Sequence, residues 1–280
     1  MCTLPRWTTR IALMLAAILL ASVALAQVDW GGYRRNRMPP RFKPADHRDN
    51  GFTFCRLMYT SVRRERAGRG WRTDYPAADV NFMIRFSELT STTVDFNDRG
   101  NPNHWVVEIT DPALFTCPFI MTSDVGTMGL NVAEVAQLRD YLLKGGFLWV
   151  DDFWGSRAWS QWASEIGRVL PPSEFPIVDL PLDHPLFQGQ YNIWEIPQIS
   201  NIRFWRNTGG RLTSELGADS DVAHFRAITD THGRILVAMT HNTDIQDAWE
   251  REGEDPRFFE QFAPDGYSLG INVLLHAMSH

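Results

Sequence analysis

The chain has 280 residues, of which 44% are hydrophobic and 21% are charged, a composition typical of globular proteins. Its formal net charge of −6 argues against binding to nucleic acid and against a general attraction to anionic lipid surfaces. The sequence contains no internal repeat that would indicate a solenoid or a tandem array.

The first 26 residues have the pattern of a secretory signal peptide. Arg6 and Arg10 precede an apolar run from Ile11 to Leu25, and small residues lie just before Gln27. An uncleaved membrane anchor is the alternative, but this run is short for a membrane span. The sequence therefore predicts an exported protein, periplasmic or extracytoplasmic, with no membrane span in the mature chain.

Residues 27–50 are polar and rich in arginine and proline, which predicts a flexible or extended basic lead-in. The rest of the chain, residues 51–280, has no clear internal boundary and is predicted to form one domain. Its first strand is predicted from Phe52 to Tyr59.

An arginine-rich loop follows this strand. Arginines at the carboxyl end of a strand bind phosphate or carboxylate through forked hydrogen bonds, so Arg63 and Arg64 are candidate ligand-binding residues. The alternative is a solvated loop whose charge is balanced by Glu65 and Asp74. A helix is predicted to begin at Pro76, and a strand is predicted from Trp105 to Ile109.

The segment from Pro118 to Gly155 predicts a strand, a helix and a second strand. Short apolar runs at residues 119–121 and 147–150 are typical of strands covered on both faces. Between them, Asn131 and Glu134 form a capping-box pattern, and Gly145 supplies a turn that ends the helix. Strands joined through a helix are parallel, so this unit predicts a parallel sheet.

The remaining elements are predicted in the same way. They are a helix at Trp159–Val169, strands at Ile202–Trp205, Phe225–Ile228 and Ile235–Thr240, and a terminal helix at Tyr267–Met278.

Beyond the signal segment the sequence contains two cysteines, Cys55 and Cys117. A disulfide is permitted in an exported protein, and two buried free thiols are the alternative.

Acidic residues follow the predicted parallel strands, where open parallel sheets bind their ligands. Adjacent residues of a strand point to opposite faces, and Asp152 already lies in the turn, so it is favoured over Asp151. Carboxylates with a histidine suit a divalent metal that activates water. The alternative to a metal site is that these aspartates only cap helices and stabilise turns. The ligand-binding candidates here are Asp124, Asp151 and Asp152, and the metal-ligand candidates are Asp124, Asp152, His241 and Asp244.

Several segments together resemble an uncharacterised bacterial family known as domain of unknown function 4159. They read FTFCRLMYTSVRRE, GWRTDYPAADVN, LLKGGFLWVDDFWG, LDHPLF and THNTDI. The resemblance implies a class I glutamine amidotransferase-like fold, a flavodoxin-like parallel sheet with helices on both faces. It also makes His184, in the segment LDHPLF, a candidate ligand-binding residue.

The resemblance does not extend to glutaminase chemistry. The catalytic cysteine of true amidotransferases follows the strand after the Gly-Gly turn, and this chain has Asp151 and Asp152 there. A carboxylate cannot form the thioester that glutamine hydrolysis requires.

Two functions remain: an exported protein that binds an unknown small molecule or protein partner, and a metal-dependent hydrolase of an extracytoplasmic glycan or phosphorylated substrate.

Overall fold

The computed structural model describes residues 39–44, 46–66 and 68–279. The predicted signal peptide and residues 27–38 of the predicted lead-in lie outside this part of the chain. In the described part, no helix is both long enough and apolar enough to span a membrane.

The core of the fold is a mostly parallel sheet, as predicted. In chain order the strands are β1 (Phe54–Met58), β2 (Thr60–Ser61), β3 (His104–Glu108), β4 (Phe119–Ser123), β5 (Met128–Gly129), β6 (Phe147–Asp151), β7 (Ile177–Asp179), β8 (His224–Thr229) and β9 (Ile235–His241). One sheet has the order β3-β1-β4-β6-β9-β8-β7, and β2 pairs with β5 separately. The strands from β3 to β9 in this order are parallel, whereas β8 pairs antiparallel with β9 and β7 pairs antiparallel with β8.

The strand order identifies where a ligand would bind. Numbered along the chain, the parallel strands lie in the spatial order 2-1-3-4-5. The chain first moves outward from β1 to β3 and then returns to β4 on the other side. In such sheets the ligand lies beyond the carboxyl ends of the strands near this reversal.

Helices cover both faces of the sheet. They are α1 (Ala77–Leu89), α2 (Val132–Leu143), α3 (Gly155–Val169), α4 (Ile202–Asn207), α5 (Ile245–Glu250) and α6 (Pro256–Ser279). Successive residues of β6 show the two layers, because Trp149 packs with Trp249 of α5 while Leu148 joins Leu138 of α2 and Trp162 of α3. All of these side chains are buried, so β6 is covered on both sides as its continuous apolar run predicted.

The central strand–helix–strand unit is confirmed in detail. The Asn131 side chain accepts a hydrogen bond from the Glu134 amide, and the Glu134 side chain accepts one from the Asn131 amide. Gly145 has φ 113°, a backbone conformation that residues other than glycine rarely adopt.

Two sequence predictions were wrong about secondary structure. Residues 202–205, predicted as a strand, belong to α4, which Asn201 caps by accepting a hydrogen bond from the Arg203 amide. The buried residues Ile202 and Trp205 are three positions apart, which suits one face of a helix. The terminal helix also begins at Pro256, earlier than predicted, and continues through Pro264.

The outer parallel strand is covered by the described residues of the basic lead-in. Phe42 forms a parallel bridge with Val106 of β3, and the Arg41 guanidinium lies 4.7 Å from the centre of the Trp105 ring.

On the other side of β3, Cys55 of β1 forms a disulfide with Cys117, which precedes β4, across a Cα–Cα distance of 6.1 Å.

Candidate functional site

Sharp left-handed turns occur at the carboxyl edge of the sheet. Asp74, Asp124, Asp152 and Asn242 have φ values of 65°, 54°, 52° and 61°. Aspartate and asparagine tolerate this conformation better than other residues with side chains. Asp124 directly follows β4, Asp152 follows β6 and Asn242 follows β9, so each strand turns abruptly where it leaves the sheet. Strained residues of this kind concentrate at functional sites.

Three carboxylates meet at this edge. Asp74, Asp152 and Asp244 each place an oxygen within 4.8 Å of the others. They come from the segments after β1, β6 and β9, so the sheet itself brings them together. We call Asp74, Asp152 and Asp244 the aspartate triad.

One oxygen of the aspartate triad lacks a partner. Oδ1 of Asp152 accepts a hydrogen bond from Nε1 of Trp154 at 3.0 Å, and Oδ1 of Asp244 accepts one from the Asp247 amide at 2.9 Å. In contrast, Oδ2 of Asp74 accepts no hydrogen bond from any described residue. This oxygen is buried, and the whole residue is only 7% exposed. Buried polar atoms are nearly always paired, so an unpaired carboxylate oxygen indicates a missing partner.

Burial and mutual repulsion disfavour the ionised form of the triad. Burial raises the pKa of Asp74, Asp152 and Asp244 well above the ordinary value, and neighbouring carboxylates raise each pKa further. Closely spaced carboxylates cannot all be ionised without a compensating positive charge. Within the described residues, no arginine or lysine forms an ion pair with a member of the triad.

A neighbouring acidic set shows how the protein compensates such charges elsewhere. Asp74, Asp247 and Glu250 also place oxygens within 4.8 Å of one another. There, Arg251 supplies the positive charge, because its guanidinium lies 2.9 Å from Oδ1 of Asp247 and 2.8 Å from Oε2 of Glu250. The triad has the same acidic character without such an arginine.

Asp124 lies beside the triad and is held by a glycine loop. Its Oδ2 accepts a hydrogen bond from the Gly70 amide at 2.7 Å. The loop passes so close that a methyl group added to Gly68 would lie 2.2 Å from this oxygen. Burial raises the pKa of Asp124 to about 7, although the Gly70 hydrogen bond opposes this rise. Asp124 therefore keeps its proton to a higher pH than an ordinary aspartate.

Asp124, Asp152 and Asp244 border a small cleft that opens to solvent, and Asp74 is not part of its lining. Its walls also contain one cationic residue, one aromatic residue and several polar residues. The complete lining is Glu65, Arg66, Gly68, Thr73, Asp124, Asp152, Trp154, Asn201, Glu215 and Asp244. The cleft is therefore rich in hydrogen-bond acceptors and negative charge.

Asp151 points away from this cleft, on the other face of β6. Its Oδ1 accepts a hydrogen bond from Oγ1 of Thr240 at 2.6 Å, and its Oδ2 accepts one from the Gln246 amide at 3.0 Å. Both carboxylate oxygens thus bind neighbouring parts of the fold. The structure places Asp152 at the cleft and Asp151 in the core, consistent with the alternation of side chains along a strand.

His241 also lies apart from the aspartates. Its Nε2 is 3.2 Å from the Gly155 carbonyl and its Nδ1 is 3.1 Å from the Arg226 guanidinium. The ring packs against Phe153 and Trp159, on the face covered by α3. Burial lowers the pKa of His241 to about 4, so the ring is neutral. The structure therefore does not bring His241 to the predicted metal ligands.

The other candidates are not among the residues that line the cleft. Arg63 donates to the Gly126 carbonyl and pairs with Glu65, and Arg64 is exposed. Nδ1 of His184 accepts a hydrogen bond from the Leu186 amide, which begins a short turn of helix. Its ring lies 5.6 Å from that of His276, beside a hollow that the first residues of β6 and β9 border. His184 is therefore at the opposite, amino end of the sheet.

Sequence reasoning missed three acidic members of the site. Glu65 and Asp74 were interpreted as charges that balance the arginine loop, and Glu215 was not singled out at all. The available signal for Asp74 was its position in the crossover that leaves β1, since residues after parallel strands share one edge of the sheet. Glu215 lies in an irregular segment after α4, where no periodic pattern predicts its position.

Residues 53–278 match the family described as Domain of unknown function (DUF4159). The chain belongs to this family. The match covers β1 to α6 and thus includes every residue of the cleft. A search of curated proteins found no match to the chain.

Proposed function

We propose that this member of the DUF4159 family is an exported protein that binds a divalent cation at the aspartate triad. The observation that carries the proposal is the buried, unpaired Oδ2 of Asp74, in a residue that places a carboxylate oxygen within 4.8 Å of oxygens from Asp152 and Asp244. A cation between the three side chains would pair this oxygen and neutralise the repulsion that raises their pKa values.

The ligand atoms favour hard cations. The triad offers only carboxylate oxygens, which suit magnesium, calcium or manganese better than the softer metals that prefer nitrogen or sulfur. The three aspartates come from separate segments that follow β1, β6 and β9, so the ion would connect these three segments. Water or a further ligand would complete the coordination, because calcium and magnesium take six or more oxygen ligands.

Two further features support the proposed export and architecture. The disulfide between Cys55 and Cys117 suits an oxidising compartment, and the first 26 residues have a signal-peptide pattern. The spatial order 2-1-3-4-5 of the parallel strands supports the flavodoxin-like, glutamine amidotransferase-like architecture. Asp152 follows β6 where an amidotransferase has its cysteine, so the proposal does not include glutamine hydrolysis.

A metal-dependent hydrolase is the second candidate, and the position of Asp124 favours it. Asp124 borders the same cleft but is not one of the three clustered ligands. A carboxylate beside a bound cation can accept a proton from a metal-held water, which is the usual role of a general base. Loss of hydrolysis with retained cation binding in an Asp124→Asn variant would distinguish this function from binding alone.

The test is calorimetric titration of the chelator-treated full chain with magnesium, calcium, manganese and zinc in turn. We expect one of the first three ions to bind, and Asp152→Asn to weaken binding at least tenfold. The matched control is Asp98→Asn, because Asp98 is exposed and lies outside the cleft. Equal binding by Asp152→Asn and the parent, or no binding of any ion, would refute the proposal.

A further inference from the structure

The walls of the cleft remain negative after a cation binds. Five carboxylates, those of Glu65, Asp124, Asp152, Glu215 and Asp244, line the cleft against the single guanidinium of Arg66. The triad also contains Asp74, which lies just beneath this surface. The two positive charges of a divalent ion offset only part of this charge. A phosphorylated or carboxylated ligand would therefore meet repulsion from most sides of the cleft.

The arginine-rich loop does not supply an anion-binding site that would overcome this repulsion. The Arg63 guanidinium donates to the Gly126 carbonyl and pairs with Glu65, and Arg64 is exposed outside the lining. Arg66 is the one arginine that borders the cleft among the described residues, and burial raises the pKa of Glu215 although the charge of Arg66 opposes this rise. Recognition of phosphate typically uses several positively charged or amide donors directed at one point.

The hydrogen-bonding groups of the cleft are mainly acceptors. Oε1 of Glu215 accepts a hydrogen bond from the Asn201 amide, and five lining carboxylates outnumber the four lining side chains that carry donor groups, Arg66, Thr73, Trp154 and Asn201. Thr73 does not add a free donor, since its hydroxyl donates to the Gly70 carbonyl. A complementary ligand must therefore bring its own donors.

The bound cation adds a second requirement, because a compound that joins its coordination in place of water must supply oxygen ligands. An ammonium group provides donors but cannot bind to a metal. A hydroxyl group provides both, since it donates through its hydrogen and ligates through its oxygen. Trp154 also lies in the cleft wall and offers a flat apolar surface for the carbon skeleton of a ligand.

We propose that the compound bound beside the cation is neutral and rich in hydroxyl groups, of the carbohydrate class, and that the cleft discriminates against phosphorylated compounds. This inference rests on the proposed cation site and names the ligand of that same site. Asp74, which belongs to the triad with Asp152 and Asp244, has a buried and unpaired Oδ2, which indicates that a ligand binds at this position.

The experiment uses matched pairs of probes that differ only in a phosphate. Glucose, galactose and mannose, their 6-phosphates, and the disaccharides cellobiose and chitobiose are titrated calorimetrically into the cation-loaded full chain. We expect at least one neutral sugar to bind, and its 6-phosphate to bind at least tenfold more weakly. Glu215→Gln should reduce this ratio, because one repelling charge is removed while the side chain keeps an acceptor for the Asn201 amide.

The matched control is Glu260→Gln, an exposed glutamate outside the cleft, which should leave the ratio unchanged. Tighter binding of any sugar phosphate than of its neutral partner would overturn the proposal, as would no binding by the whole neutral panel. Cation binding is measured beforehand without sugar. A protein that binds the cation but no neutral sugar therefore refutes this inference and leaves the proposed cation site standing.

Discussion

Replacement of Asp74 by asparagine should have opposite effects on the metal-free and the metal-bound protein. Asparagine keeps the shape of aspartate but removes its charge. Without metal, the Asp74→Asn variant should be more stable than the parent at pH 8, because the aspartate triad loses repulsion. With metal, the variant should gain little or no stability, because one of three cation ligands has lost its charge.

The expected size of the first effect follows from the spacing of the carboxylates. At the maximum separation of 4.8 Å, two unit charges repel by about 3.5 kcal/mol at an effective dielectric constant of about 20. Protonation of the triad relieves part of the repulsion in the parent, so the gain is limited to roughly the value for one pair. We expect Asp74→Asn to stabilise the metal-free protein by about 3 kcal/mol at pH 8. The new amide can also donate to Asp152 or Asp244.

The assay is urea unfolding at pH 8, in chelator and again in an excess of the cation that calorimetry identifies. At a hundredfold excess over the dissociation constant, the parent should gain about 2.7 kcal/mol and the variant much less. Asp98→Asn is the control for loss of a negative charge at an exposed site. A metal-free Asp74→Asn variant that is less stable than the parent would refute the reasoning, since Asp74 would then stabilise the fold through a bond that asparagine cannot replace.

Further predictions concern pH, the disulfide and the glycine loop. Because burial raises the pKa of Asp124 from 3.8 to about 7, this carboxyl alone should lower metal-free stability by about 4 kcal/mol as pH rises from 4 to above 7, and the raised pKa values of the triad add to the fall; urea unfolding at both limits measures it. Stability that rises over this range in chelator would contradict the assignment. Replacing Cys55 and Cys117 by alanine should lower the free energy of unfolding by about 4 kcal/mol, since the disulfide closes a separation of 62 residues; an unchanged urea midpoint would argue against the bond. Gly68→Ala should cost about 1–3 kcal/mol, because the added methyl group would lie 2.2 Å from Oδ2 of Asp124. Gly167→Ala is its control in α3, where the nearest atom is at an ordinary 3.6 Å, and it should stabilise the protein in the same unfolding assay.

The fold was predictable where one local pattern determined one element. The apolar runs of β4 and β6 and the capped helix α2 between them gave the parallel unit, and Asn131 and Glu134 form the expected capping box. The prediction of a strand at residues 202–205 failed because an apolar stretch of that length does not distinguish a strand from one turn of helix. There, the cap supplied by Asn201 and the burial of Trp205 decided the outcome.

The site was only partly predictable for a geometric reason. Strand ends indicated the edge of the sheet, so Asp152 and Asp244 could be selected and lie together. His241 also ends its strand, but its ring lies on the face of the sheet that α3 covers. The sequence of one strand does not show which face each helix covers. Asp74 was missed because it lies well beyond β1, and only the path of the whole loop returns it to the triad.

The most direct test of the central claim is anomalous diffraction from crystals of the full chain grown with manganese. The account predicts an anomalous peak between Asp74, Asp152 and Asp244, at about 2.0–2.5 Å from an oxygen of each, as expected for a hard cation bound by carboxylates. Crystals of Asp152→Asn grown in the same way should lose the peak. A well-ordered triad without a peak, or manganese bound only elsewhere on the chain, would contradict the account.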